Sequence, residues 1–229
     1  AASSEEDGRL YYKDGTRLEF EDADLKLNVQ LQPRYTYEDR SQKDRQDAGF
    51  EGGEDSSSFR LRRARIILSG NVLDKQFSYK LNNDFASDSG KSKMKDAWIQ
   101  WNGEMLNAKL GQFKVPFSRQ ERASSTSLFF IDRSLVNEEF TYSYDTGVEL
   151  STTLGEVVNV ASGIFNGNSV GEGDGRPGVD PRVNWATAID FTTAEYGSRG
   201  VEGDLREDGD VGVTVGGALV IGDGVNTID

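Results

Sequence analysis

Four arginines stand within six positions, Arg60, Arg62, Arg63 and Arg65, with no acidic residue among them. A guanidinium is permanently charged, and its fork of N–H donors matches phosphate or carboxylate oxygens in bidentate fashion. Gathered in a narrow wet passage of low effective dielectric, such groups draw anions. Lys80 is a weaker candidate for the same basic lining. The arginines also have a structural use: pairing with Asp96, Asp132, Glu138 or Glu139 would brace a neighbouring segment.

Other chemistry is thinly provided. The 229 residues include no Cys and no His. Without Cys there is no disulfide framework, thiol catalysis or Cys-based zinc site. Without His the commonest general base and metal ligand are gone. Gly167-Asn168-Ser169-Val170-Gly171 has the spacing of a nucleophile elbow, but no Ser-His-acid triad can form around it. Gly171-Glu172-Gly173-Asp174-Gly175 could offer calcium carboxylates and carbonyls, yet lacks a repeated glycine-aspartate array and reads as an acidic loop. The chain reads as no enzyme, with no cofactor and no metal.

The elements that must hold the arginines are strands. From Asp24 to Thr36 apolar or ring side chains (Leu25, Leu27, Val29, Leu31, Pro33, Tyr35) alternate with polar ones. That period puts one strand face against something apolar and the other against water. Most soluble strands run to about 5–6 residues, whereas a tilted membrane-crossing strand needs about 9–11. Composition agrees: 35% of residues are hydrophobic and 26 are Gly, lean for a dry core but sufficient for a barrel with a wet centre. No apolar run reaches the ~18 residues of a membrane helix. An arginine facing lipid at mid-bilayer costs about 2–4 kcal/mol, and near an interface about 0–1. Together the four cannot face mid-bilayer lipid, so most of them belong in a lumen or at its rim.

From Phe59 to Val72 the alternation slips, with Phe59 and Leu61 on one phase and Ala64, Ile66, Leu68, Gly70 and Val72 on the other. One extra residue near Arg62-Arg63, a β-bulge, reconciles the halves. Further strands are expected at 76–85, 95–101, 108–115, 145–152, 157–165, 184–191 and 211–221, with tight turns at Leu73-Asp74-Lys75 and Leu154-Gly155-Glu156. This makes about nine strands; a further strand near Gly8 to Phe20, or membership of a larger barrel, would reconcile the odd number with the even counts of bacterial barrels. Pro116 to Thr141 shows no period of two and reads as an ordered, partly helical loop. Long loops alternating with short turns match outer-membrane barrels. Trp98 and Trp101 point to opposite faces. The lipid-facing one, with Trp185, Tyr35 and Tyr37, would belong to an interfacial aromatic girdle.

Net charge is −13, with 39 acidic and 26 basic residues, which argues against a nucleic-acid partner. The acids crowd expected loops: Asp39 to Asp55, Glu172 and Asp174, Glu202 to Asp210. They read as solvated loops, or as ligands for divalent cations bridging to anionic lipid. Ala1 to Asp7 reads as the mature end left by signal-peptide removal.

Several stretches in order resemble the phosphate-selective porin O and P family. These are Phe59-Arg60-Leu61-Arg62-Arg63-Ala64-Arg65, Lys95-Asp96-Ala97-Trp98, Leu110-Gly111-Gln112-Phe113-Lys114-Val115-Pro116-Phe117, Asp132-Arg133-Ser134-Leu135 and Gly163-Ile164-Phe165-Asn166-Gly167. The resemblance runs from about Leu25 to about Phe191. It implies a transmembrane antiparallel β-barrel of about sixteen strands in the bacterial outer membrane, assembled as a homotrimer. The third loop, at 117–140 here, would fold inward as the constriction. It also implies an anion site at Arg62 and Arg63, joined by Arg122, Arg133 and Asp96. The chain departs from the best-known anion-selective members at Ser78 and Gln30, where they carry Lys and Arg, and it lacks their run of basic residues.

The expectation is thus an all-β chain, 1–229 forming a single barrel domain incomplete at its C-terminal side. It would pass small anions, phosphate or polyphosphate first, with outer-membrane lipid around it. The alternatives are a general or cation-preferring porin whose arginines are structural, and a surface-attached β-rich binding module with a dry core between two sheets.

Overall fold

The computed structural model describes residues 8–38, 56–86, 92–155, 157–167, 183–193 and 212–222. The amino-terminal acidic stretch, the acidic loops within 39–55, 168–182 and 194–211, and the two glycine motifs from Asn168 onward lie outside the described residues.

Among the described residues every strand belongs to one antiparallel sheet. Its strands are β1 (Arg9–Tyr12), β2 (Thr16–Glu19), β3 (Asp24–Glu38), β4 (Ser56–Val72), β5 (Phe77–Asp84), β6 (Lys93–Asn102), β7 (Asn107–Lys114), β8 (Tyr144–Leu154), β9 (Val158–Phe165), β10 (Asn184–Thr192) and β11 (Thr214–Ile221). Each pairs with its sequence neighbour, in order from β1 to β11, and the sheet is not closed: β1 and β11 share no ladder. The eleven strands exceed the expected nine by a hairpin before β3, in which Arg9 faces Glu19 and Tyr12 faces Thr16. Its strands are four residues each, too short for a period to stand out. A single meandering sheet also removes the two-sheet sandwich.

The alternation decides what each face meets. Along β3, Val29 and Leu31 are 62% and 68% exposed on one face, while the intervening Asn28, Gln30 and Gln32 are half-buried on the other. The outward stripe continues through Leu61, Ile66, Leu81, Ile99, Leu110, Val148, Ile164, Ile189 and Leu219, all large, apolar and exposed. Exposed side chains of this kind, strand after strand, fit a surface that meets hydrocarbon. Strands suit that setting because their backbone groups pair with neighbours.

The expected bulge is present. Gln32 faces Arg63 and Pro33 faces Leu61, so Arg62 is the extra residue. Its effect is large, since a one-residue slip turns side chains to the other face. Directly opposed residues share a face, so Arg60 sits with inward Arg34, and Arg63 and Arg65 sit with inward Gln32 and Gln30. Without the slip, Arg60 and Arg63 would fall on opposite faces. Pro33, which lacks an N–H, occupies the irregular step.

Short turns join alternate strands. Leu73, Asp74 and Lys75 all have φ near +50 to +67, closed by the Gln76 N–H on the Leu73 carbonyl at 2.9 Å. On the inner face, Phe165 lies across two glycines: a Cβ on Gly147 or Gly163 would stand 2.6 or 2.9 Å from its ring. Those glycines let Phe165 settle with Phe113, Val115 and Ala186 into a small dry cluster, against which Trp98, Phe117, Tyr142 and Val220 pack.

The two faces should respond oppositely to charge. Leu31→Arg, mid-strand and outward, is expected to cost about 2–4 kcal/mol in a bilayer, while Ser151→Arg, on the inward phase of β8 and lining the inner space, costs well under half of that. Denaturant titration of the two variants refolded into lipid vesicles measures both. Equal costs would mean that the apolar face does not meet lipid.

Candidate functional site

The segment between β7 and β8 is anchored at its base and then crosses the concave face. Val115 and Phe117 are held in the dry cluster, and Pro116 is fully buried. Two short helices follow, α1 (Arg119–Arg122) and α2 (Leu135–Phe140). Ser118 caps α1 by accepting from the Glu121 N–H, and Ser134 caps α2 by accepting from the Asn137 N–H, each satisfying an otherwise orphaned donor. Gln120 Oε1 accepts from both the Ser134 N–H and its hydroxyl, at 3.1 and 2.9 Å, locking one helix to the start of the next.

Glu121 is the hub of this segment. It is buried, and its carboxylate takes Arg133 Nε at 2.9 Å, Asn137 Nδ2 at 3.1 Å and the Ser143 hydroxyl at 3.0 Å. Burying a carboxylate is costly unless it is paired and hydrogen-bonded; this one is both. Arg133 also donates to the carbonyls of Gln120, Glu121 and Ala123. Lys114 donates to the Glu121 and Ala123 carbonyls at 2.5 and 2.8 Å.

The far side of the segment is tied to the sheet by charge. Asp132 accepts from Arg34 at 2.8 Å and from Arg62 at 3.0 and 3.2 Å. Ser125 meets Gln30 and Arg65, and Arg122 pairs with Asp190 of β10 at 2.6 Å. Residues of this one segment thus reach β3, β4 and β10. Burial pushes the Asp132 carboxyl up, but Arg62 and Arg34 outweigh it and hold it below the usual carboxylate range.

Between the segment and the wall lies a cavity of about 1430 Å3. Among the described residues nine basic and five acidic side chains line it, the reverse of the chain's overall balance of −13. Most of these cations are compensated. Arg65 pairs with Asp84 at 2.6 Å, Lys80 with Asp96 at 3.0 Å and Lys109 with Glu149 at 2.9 Å. Asp96 also accepts from Asn82 at 2.8 Å. Arg63 differs. It is 3% exposed and donates through Nη1 to Gln32. Its Nε has no partner, and among the described residues no acid lies within ion-pair distance. Its charged neighbours are chiefly other arginines, Arg62, Arg65 and Arg133.

The eight residues singled out from sequence are therefore distributed as follows. Arg62, Arg63, Arg65, Arg122, Arg133, Lys80 and Asp96 line one cavity. Arg60 is exposed at the outer end of β4, opposite Arg34. Of the four acids named as bracing partners, Asp132 takes Arg34 and Arg62, and Asp96 takes Lys80. Trp98 faces inward with Lys80, and Trp101 is exposed on the outer face. Sequence reasoning missed Asp84, Lys95, Glu121 and Asp190. The spacing Ser118-x-x-Glu121 is that of a capping box and could have located α1. Phe129, Phe130, Ile131, Leu135 and Val136 are exposed on the segment, beside a smaller apolar cavity of about 520 Å3.

A long-stranded antiparallel sheet with an apolar outside, a basic wet inside and a chain segment laid across it is the construction of a β-barrel porin. The family profile for phosphate-selective porin O and P matches residues 28–218, and the chain belongs to that family. No curated protein and no solved structure matches it. The family is one of channels, not of enzymes.

Asp132→Asn should loosen the segment. The pair side chains are about one-third exposed, so solvent screening limits the loss to roughly 1–2 kcal/mol. Limited proteolysis within 117–140 should accelerate severalfold. The lowered carboxyl sets the sign with pH: the brace is fully present above the ordinary carboxylate pKa and lost only as pH falls through the lower folded value. Cleavage of the parent should therefore stay slow down to about pH 4.

Proposed function

We propose that this chain forms an outer-membrane pore giving passive, anion-biased diffusion of small hydrophilic solutes, phosphate-like oxyanions first. The single observation that carries the reading is Arg63: a buried guanidinium in the cavity wall that, among the described residues, makes no ion pair and has arginines as its chief charged neighbours. Ion-paired cations contribute little net field, whereas an uncompensated one in a low-dielectric wall attracts counter-ions. Its planar donor fork suits the oxygens of phosphate. The segment at 117–140 is the constriction, held across the passage by Asp132 on one wall and Arg122 on the other. Arg62, Arg65, Arg122, Arg133 and Lys80 hold the geometry through their acids, and Asp96 orients Lys80. Assembly as a homotrimer in the bacterial outer membrane goes with this reading.

A second reading has its own observation. Four of the candidate arginines, Arg62, Arg65, Arg122 and Arg133, each have a carboxylate partner, as bracing groups of a general or cation-preferring porin would. Reversal potentials of the full chain in planar bilayers across a KCl gradient separate the two. The first reading expects chloride preference, block of the current by inorganic phosphate, and about tenfold weaker block in Arg63→Ala. A hydrogen bond to a charged group is worth about 1.5–3 kcal/mol, and each 1.4 kcal/mol is tenfold. Cation preference, or block unchanged in Arg63→Ala, would favour the second.

A further inference from the structure

Two bulges break the ladders around the cavity, and each adds one basic residue to its wall. The first inserts Arg62. The second lies between β5 and β6, where Asn82 faces Asp96 and Asn83 faces Met94, leaving Lys95 as the extra residue. Lys95 lines the same cavity as Arg63.

The acids near Lys95 are engaged elsewhere. Asp96 accepts from Lys80 and Asn82. Asp84 accepts from Arg65 and from the Ala64 and Ala86 N–H groups. What holds the Lys95 ammonium is the Tyr144 ring, whose centroid lies 5.3 Å away. Lys114, 5.6 Å from the same ring, is occupied by the Glu121 and Ala123 carbonyls. The distinction matters physically. A carboxylate partner cancels the field of an ammonium, whereas an aromatic face positions it through the ring quadrupole and leaves its unit charge intact. Among the described residues Lys95 makes no ion pair, so its field acts on the lumen.

We propose that Lys95 is a second selectivity-determining anion contact of this passage, acting with Arg63 on small oxyanions such as phosphate. The assignment rests on the anion-biased reading above. The Tyr144 ring is its positioning group, fixing the ammonium at the wall beside the segment that narrows the passage. The bulge gives the position its purpose: an added residue brings a cation inward without moving the outward phase of Ile99 and Trp101.

The absence of cysteine from the chain makes the test clean. Lys95→Cys in the full chain creates a single thiol, and bilayer currents are read before and after reaction with an aminoethyl or a sulfonatoethyl thiosulfonate. Lys95→Cys should weaken inorganic phosphate block about fivefold or more and move the reversal potential toward zero. Aminoethylation, which restores a cation near the original place, should recover most of the block; the sulfonate should abolish it. If Lys95→Cys keeps the parent's block and selectivity while Arg63→Ala loses them, the Lys95 assignment is wrong and the anion-pore reading stands. A parent without anion preference overturns both. Should the cysteine variant form no channels, Lys95→Arg and Lys95→Gln take its place: retention in the first and loss in the second supports the assignment, and equal behaviour refutes it.

Discussion

A guanidinium cannot rest in hydrocarbon, and most of this architecture follows from keeping four of them out of it. On a regular strand Arg60 and Arg62 would face one way and Arg63 and Arg65 the other. Inserting Arg62 as an unpaired residue brings the arginines to one side while Leu61, Ala64 and Ile66 stay on the other. The β5–β6 ladder repeats the device with Lys95. A strand has only two faces, so an extra residue is the economical way to enrich one of them in charge without greasing the other.

Once the cations are inside, their compensation decides what the space can do. Acids from several elements meet them: Asp84 on β5, Asp96 on β6, Glu149 on β8, Asp190 on β10, and Glu121 and Asp132 on the crossing segment. Two of these contacts fasten the segment to the sheet, so the ion pairs that compensate cavity cations also fix the place of the segment across the inner face. The dry cluster under Phe165 sets the near end and the Asp132 clasp the far end. Arg63, Lys95 and Lys114 stand outside this network of carboxylates, the first on an amide, the second on a ring and the third on backbone carbonyls. A chain with a net charge of −13 can therefore present a basic interior, because its balance is distributed by location.

Much of the sheet was legible because period two is a strong signal over long strands: β3 runs for 15 residues and β4 for 17. The slip at Arg62 was legible for the same reason, as two clean phases met there. The four-residue strands of the first hairpin offered too few repeats. The site was only half legible. Which arginines share a face can be read from phase, but which acid each one meets depends on pairings across strands distant in sequence, such as Arg122 with Asp190. Lys95 escaped notice because its bulge sits at a strand end, where Lys93-Met94-Lys95-Asp96 holds a single apolar residue, too few to set a phase on that side of the slip.

The central claim is that the outer stripe touches lipid while the inner face is wet, and the three tryptophans report it directly. Trp101 and Trp185 are exposed on the outside, whereas Trp98 faces the cavity beside Lys109. Single-tryptophan versions of the full chain, refolded into vesicles whose acyl chains carry bromine, give each residue's contact with hydrocarbon through quenching of its fluorescence. Strong quenching of Trp101 and Trp185 with little quenching of Trp98 is the predicted result. Equal quenching of all three, or none of any, would contradict the account.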